Sequence, residues 1–285
     1  MFKKILVGVD GSDRSLDGAV LAGDLVADGG SITFAHVHPG RLHPLHAIQP
    51  DVVAKEQEQS DALLRKARED SGVDGELVSI IAETAPEGLH GEAEENGYDL
   101  IVVGSCGRGA FGRVMVGDHA RGALNGAPCA VAVANHGYVH HAEPGKAKNR
   151  IGVAYNESPE AEDALALGRE LAAARGAELK ALEVVAIPTY AYTELAATDT
   201  GVGLEALLKE ANDRVGKLEG VEARAEYGLA GEQLAAFGDE LDLLIVGSRS
   251  YGPVKRLVLG STSDYLERHG RCSLLVLPRR TTEAA

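Results

Sequence analysis

Cysteine is scarce in this chain: three in 285 residues, Cys106, Cys129 and Cys272, far apart in sequence. Two of them stand at the start of apolar, strand-like runs. That placement fits reduced and mostly buried thiols, not a disulfide framework or a zinc site. Cys106 differs, because it falls in a glycine-rich loop and is the one candidate for a reactive thiol. Basic residues are also in short supply: 28 Lys and Arg against 43 Asp and Glu give a formal net charge of −15. Non-specific binding to nucleic acid or to an anionic membrane needs the opposite surface. No apolar run approaches the roughly 18 residues of a membrane span. The N-terminal MFKKILVGVD enters a strand directly, with no signal-peptide h-region, so a cytoplasmic location is expected.

What is present is a repeat. A chain of 285 residues with 45% hydrophobic and 25% charged residues is expected to form two globular domains. Each half, of roughly 140 residues, is long enough to bury a core. ILVGVDGS near the start aligns without a gap with IGVAYNES at 151–158, which sets Asn156 where Asp10 was. In each half apolar runs of strand length alternate with amphipathic helical segments, in the order βαβαβαβαβ. Such alternation predicts a mostly parallel sheet with helices on both faces. The first half reads as a strand at 4–9, a helix from about Ser15 to Gly29, a strand at 31–37 and a proline- and histidine-rich loop at 38–50. A helix at 51–70, a strand at 75–81, a short helix from Pro86 and strands before Gly104 and at 129–134 follow. The polar stretch 136–149, with Pro144-Gly145, reads as an exposed interdomain linker between domains at 1–135 and 150–280.

The most informative stretch is DLLIVGSRSYGPVKRLVLGSTS, 242–263, whose counterpart is DLIVVGSCGRGAFGRVMVGDHA, 99–120. A buried strand runs into Gly247, Ser250 and Gly260 in one copy, and into Gly104, Gly107 and Gly117 at identical spacing in the other. A strand followed by a small-residue loop and a helix start frees backbone N–H groups to face an anion. The hydroxyls of Ser261, Thr262 and Ser263 add donors there. Two copies at matching places in the repeat point to a phosphate cradle. This G-x2-[G/S]-x9-G pattern, on a βαβ chain, resembles the universal stress protein family in its tandem form. The resemblance covers nearly the whole sequence. It implies two tandem Rossmann-like domains of the adenine nucleotide α-hydrolase-like type, each a five-stranded parallel sheet with helices on both faces. It also implies ATP as the ligand, and backbone contacts to adenine near Val37 and Val184.

Ligands of such sheets bind beyond the carboxyl ends of the strands, where the strand order reverses. Asp10 and Gly104 lie at carboxyl ends, and in the family those strands are neighbours. Asp10 is therefore read as an acceptor for ribose hydroxyls, with a helix cap as the alternative reading. Asn156 can still bond a hydroxyl, less strongly than a carboxylate. On the phosphate side the order of strength inverts. Gly117-Asp118-His119 replaces the family's Gly-[Ser/Thr], and a carboxylate ~4 Å from a phosphate costs about 1 kcal/mol in water and more near protein. Mg²⁺ is the ion that could bridge Asp118 to phosphates. The second half, with Gly260 to Ser263 intact, is the favoured triphosphate site. Arg249, like Arg108, Arg113 and Lys255, could neutralise phosphate or simply be solvated.

His36 and His38 share one face of a strand, with His43 and His46 close behind. They read either as a metal pair or, the preferred reading, as a solvated strand end without metal. No residue is clearly placed as general base or nucleophile, and the P-loop lysine motif is missing. Three functions stay open: a nucleotide binder in stress response or signalling without efficient turnover; a slow ATP-hydrolysing or adenylate-forming enzyme; and an interaction module with vestigial sites. The apolar last strands of the two halves, 129–135 and 272–278, are edge strands in the family order. Pairing them would give an intramolecular pseudo-dimer, as a monomer or as a homodimer of tandem chains. The chain names no protein partner.

Overall fold

The computed structural model describes residues 1–39, 50–105, 122–123, 125–139, 149–186, 201–248, 256–257 and 260–279. The first half contains β1 (Phe2–Gly8), α1 (Asp13–Leu25), β2 (Val26–His38), α2 (Pro50–Ser71), β3 (Glu76–Ile81), α3 (Ala85–Asn96), β4 (Leu100–Gly104) and β5 (Ala130–Ala134). The second contains β6 (Arg150–Tyr155), α4 (Pro159–Arg175), β7 (Glu178–Ala186), α5 (Gly201–Val215), β8 (Glu222–Gly228), α6 (Ala230–Gly238), β9 (Leu243–Gly247), α7 (Ser261–His269) and β10 (Ser273–Leu277).

All strands belong to one ten-stranded sheet, ordered β3-β2-β1-β4-β5-β10-β9-β6-β7-β8. Pairing is parallel within each half and antiparallel at the seam, where Leu274, Leu275 and Val276 of β10 face Val133, Ala132 and Val131 of β5. These strands are strongly apolar and are buried along their whole length. Left open, each would offer an unpaired edge to any other strand. Leu257, fully buried, adds a second stitch, exchanging backbone hydrogen bonds of 2.8 Å with Gly126 and Ala127.

Alternation along the strands feeds two cores. Ile5 and Val7 of β1 pack with Leu21 of α1 and Leu64 of α2 on one face of the sheet. Leu6 packs with Leu89 of α3 and Ile101 of β4 on the other. Each core continues across the seam into the second half. Among the described residues no helix is long and apolar enough to cross a membrane.

Local sequence explains most boundaries. Ser158 accepts a hydrogen bond from Ala161 N–H and Pro159 opens α4, which closes at Gly176 with φ 62°. Thr84, Pro86 and Gly97 (φ 66°) do the same for α3. Each is a cap, a proline in the first turn and a left-handed glycine stop. One expectation needs correction. α1 ends at Leu25 and the chain turns into β2 at once, so Gly29-Gly30 does not stop the helix. Instead the pair lies where the β1–β2 register slips between Phe2 and Lys4, with Gly29 at φ 72°. Glycine in a strand marks such an irregularity as readily as a helix end. At the start of the polar stretch 136–149, His136 is exposed but the residues after it are anchored to the first half. The carboxylate of Asp17, 2% exposed, accepts from the backbone N–H of Gly137 and Val139 at 2.9 Å each. Tyr138 is buried and donates to Asp24 of α1 at 2.8 Å. Arg175 of α4 meets the same Asp24 carboxylate at 2.9 Å, which joins the two halves through a side-chain cluster.

Candidate functional site

In each half the strand order reverses beside the first strand. β1 is flanked by β2 and β4, and β6 by β7 and β9. The connections leave in opposite directions there, so a crevice opens beyond the carboxyl ends. The first cavity, about 350 Å³, is lined by Asp10, Arg14, His36, Val37, Gly104 and Ser105 among others. The second, about 400 Å³, is lined by Asn156, Glu160, Val184, Gly247, Thr262 and Arg279 among others. Both are of a size for small-molecule ligands.

Asp10 stands where β1 has ended and α1 has not yet begun. Its Oδ1 accepts three hydrogen bonds, from Ser12 N–H (3.0 Å), Ser12 Oγ (2.6 Å) and Ser15 Oγ (2.7 Å). Burial by itself would push this carboxyl up, but the bonds from Ser12 and Ser15 outweigh it and hold it below the usual carboxylate value. The group is an ionised acceptor whose Oδ1 is satisfied locally. It does not cap α1, whose first turn has no side-chain cap. In the second half Asn156 Oδ1 accepts from Ser158 N–H (3.3 Å) and Ser158 Oγ (2.6 Å). Ala161 stands where Ser15 does, so the third bond is lost.

The end of each fourth strand is shaped by close approach. A Cβ on Gly104 would lie 2.2 Å from the backbone oxygen of Arg14, and one on Gly247 would lie 2.6 Å from Cβ of Glu160. Glycine here lets the first helix of each half sit against the strand end and close the cavity floor. The next residues, Ser105 and Ser248, are 2% exposed and donate their amides to Ala134 O and Leu277 O at 2.9 Å each. Ser105 Oγ is buried with no hydrogen-bond partner among the described residues. Arg14 and Glu160 occupy equivalent places with opposite charge, and Arg279 neutralises Glu160 through a 3.1 Å ion pair.

The α7 N-terminus opens on the second cavity. Gly260 is its N-cap residue and no side chain caps the helix, so the amides of Ser261, Thr262 and Ser263 have no intrahelical acceptor. Gly260, Thr262 and Ser263 line the cavity, and Ser261 adjoins it at the first helical position. Gly107, Gly117, Arg249, Ser250, Cys106 and Asp118 lie outside the described residues, as do His43 and His46.

His36 and His38 are not a solvated strand end. His36 Nδ1 is 2.9 Å from Ser60 Oγ, Ser60 Oγ 2.7 Å from Ser79 Oγ, and Ser79 Oγ 2.9 Å from His38 Nε2. The rings stack with centroids 6.1 Å apart. Burial, then the neighbouring His38, hold the His36 imidazole below the usual histidine value against the pull of Asp10. Strand register sets Glu183 of the second half at the His36 position, and Glu183 is taken up by Arg214 (Nε to Oε2, 3.2 Å). Cys129 and Cys272 are unpaired, and burial pushes both thiols up to about 12. Among the described residues no three His, Cys, Asp or Glu side chains gather as a metal-ligand set.

Sequence reasoning missed Arg14, Glu160, Ser105 and Arg279. The gapless alignment of 5–12 with 151–158, extended by two residues, pairs Arg14 with Glu160 and carries the signal; nothing local marks Arg279.

Residues 1–135 and 148–278 each match the model of the universal stress protein family. A universal stress protein of Mycobacterium tuberculosis is 27% identical over 285 residues, covering 97% of this chain and 97% of its own. One of Thermus aquaticus is 28% identical over 142 residues, 46% of this chain and 97% of its own. Among solved structures, a universal stress protein of Archaeoglobus fulgidus superposes with a TM-score of 0.67 at 20% identity, covering 98% of this chain and 99% of that one. That likeness extends through both halves and concerns the fold. The chain belongs to the universal stress protein family, with the family's domain carried twice in tandem.

Proposed function

We propose that this protein binds an adenine nucleotide, ATP with Mg²⁺ in the first instance, and acts in stress response or signalling without efficient turnover. The observation that carries the reading is the uncapped α7 N-terminus, which presents free amides and the Thr262 and Ser263 hydroxyls to a cavity of about 400 Å³. Such an end is an anion site by both hydrogen bonding and helix dipole. Arg279 pairs with Glu160, the one carboxylate lining that cavity among the described residues. At the other cavity Asp10 supplies an ionised acceptor for sugar hydroxyls.

Calorimetric titration of Mg-ATP into the intact chain and into Gly260→Asp tests this. Gly260 has φ −78° and ψ 167°, an extended N-cap conformation that aspartate adopts readily. The variant therefore keeps its helix while setting a carboxylate against the phosphates. Sub-millimolar binding that falls at least tenfold in the variant is expected. Unchanged binding would move the nucleotide to the first cavity. A second reading, an interaction module, is favoured by Tyr227 and Leu229, half-exposed at the end of edge strand β8; absence of saturable binding in both proteins would leave it standing.

A further inference from the structure

The geometry points to His36 as a second hydroxyl acceptor of the first cavity, alongside Asp10, with its tautomer dictated by Glu56 through a chain of two serines. The inference rests on the nucleotide reading for the identity of the ligand, a vicinal diol of a ribose, and on the hydrogen-bond chain for the chemistry. Three hydrogen bonds link His36 Nδ1, Ser60, Ser79 and His38 Nε2. Two hydroxyl protons cannot supply three bonds, so at least one histidine donates: His36 alone, His38 alone, or both with one serine proton directed elsewhere.

Glu56 on α2 selects among these. Its Oε2 lies 3.8 Å from His38 Nδ1, a buried nitrogen with no hydrogen-bond partner among the described residues. A carboxylate facing a bare ring lone pair is repelled, and one facing N–H is attracted, strongly so where water is excluded. Neutral His38 thus carries its proton on Nδ1 and accepts from Ser79 through Nε2. Ser79 then accepts from Ser60, and Ser60 accepts from His36 Nδ1–H. His36 is left with an unprotonated Nε2, the ring nitrogen not committed to Ser60, on a side chain that lines the cavity. Asp10 lies close enough to act on the His36 imidazole electrostatically. Both residues line the first cavity, and two acceptors in one cavity complement two donors, the hydroxyls of a diol. The second half has no such pair, because Arg214 holds Glu183 at the His36 position.

Acid removes the acceptor, because protonating His36 places a proton on Nε2. The titratable groups facing His36 are Asp10 at the end of β1, His38 on β2 and, through His38, Glu56 on α2; Arg14 from α1 and Glu83 before α3 line the same cavity.

The test has a ligand-free arm and a binding arm. Two-bond ¹H–¹⁵N spectra of the imidazoles, recorded on the intact chain at pH 7.5, are expected to show His36 and His38 both as Nδ1–H tautomers, and His36 losing that preference in Glu56→Gln. An Nε2–H tautomer at His36 overturns the inference whatever binds. In the second arm, adenosine is expected to bind the intact chain roughly tenfold more tightly than 2′-deoxyadenosine, the scale of one lost hydrogen bond to a buried acceptor. His36→Phe erases that preference and acidification to pH 5.5 reduces it. Equal affinity for the two nucleosides overturns the role of His36 and leaves nucleotide binding intact. Failure of both adenosine and ATP to bind overturns the nucleotide reading and the diol with it.

Discussion

The two cavities of this protein share a plan and differ in chemistry. In the first, Asp10 is ionised and held by Ser12 and Ser15, the turn passes through Gly11 at φ 82°, and a cationic Arg14 follows. In the second, neutral Asn156 has lost one partner, Glu157 takes the turn at φ 58°, and Glu160 replaces the arginine. Glu157 is the only residue other than glycine with positive φ among those described, and Arg214 holds its carboxylate at 3.1 Å. The two halves share a backbone plan while the side chains lining their cavities differ: the ionised acceptor lies in the first half, and the uncapped α7 N-terminus opens on the cavity of the second.

Substitution at the strand ends tests how far the shared plan is obligatory. Gly104→Ala sets a Cβ against the main chain of Arg14, which cannot swing away, whereas Gly247→Ala meets chiefly the Cβ of Glu160. We expect Gly104→Ala to cost about 3 kcal/mol and Gly247→Ala about half that, since overpacking against backbone lies at the upper end of its range. Chemical denaturation of both variants gives the ranking, and equal losses would mean that the two helix starts sit alike.

The acceptor itself comes next. Asp10 titrates below its ordinary value, so it contributes stability that is present above the unfolded carboxylate pKa near ~3.9 and is lost as pH falls through the lower folded value. Ser15→Ala removes one of the bonds holding it down. Carboxyl ¹³C titration is expected to show Asp10 moving upward in the variant, with a stability loss of about 1 kcal/mol at neutral pH. An unmoved titration would assign the effect to Ser12 alone. No counterpart exists at Asn156, which does not titrate.

The smallest effect is expected at the turn. Glu157→Gly relieves a left-handed conformation costing about 1 kcal/mol but gives up an exposed pair with Arg214 worth less than that. Its stability should stay within roughly 0.5 kcal/mol of the parent. Gly11→Glu, with the same backbone cost and Leu63 Cδ1 only 2.8 Å from the new Cβ, should lose clearly more. Equal outcomes would show the two turns to be interchangeable.

Much of this was legible without coordinates. The order of elements follows from local periods, caps and glycine stops, because these act within a few residues of chain. The crevice at the carboxyl ends follows from βα alternation, and Gly104, Gly247 and Gly260 from their spacing. Gly29-Gly30 was misleading because glycine marks a bulge in the same letters that mark a helix end. The anchoring of Gly137 and Val139 was not legible because polarity in 136–149 also describes amides bonded to a buried aspartate, Asp17.

The sequence by itself determined that there are two βα halves, each with a glycine-gated crevice, and that the halves are chemically unequal. Only the tertiary structure decided how they join and what faces the cavities. The β5–β10 seam and the Asp24–Tyr138–Arg175 cluster bring together residues from different halves. His36 meets Ser60, 24 residues away, and Ser79 lies a further 19 along the chain. No local pattern records which side of a histidine ring another helix will touch, and a proton's place on that ring is fixed by contacts that exist only once the sheet and its helices have packed.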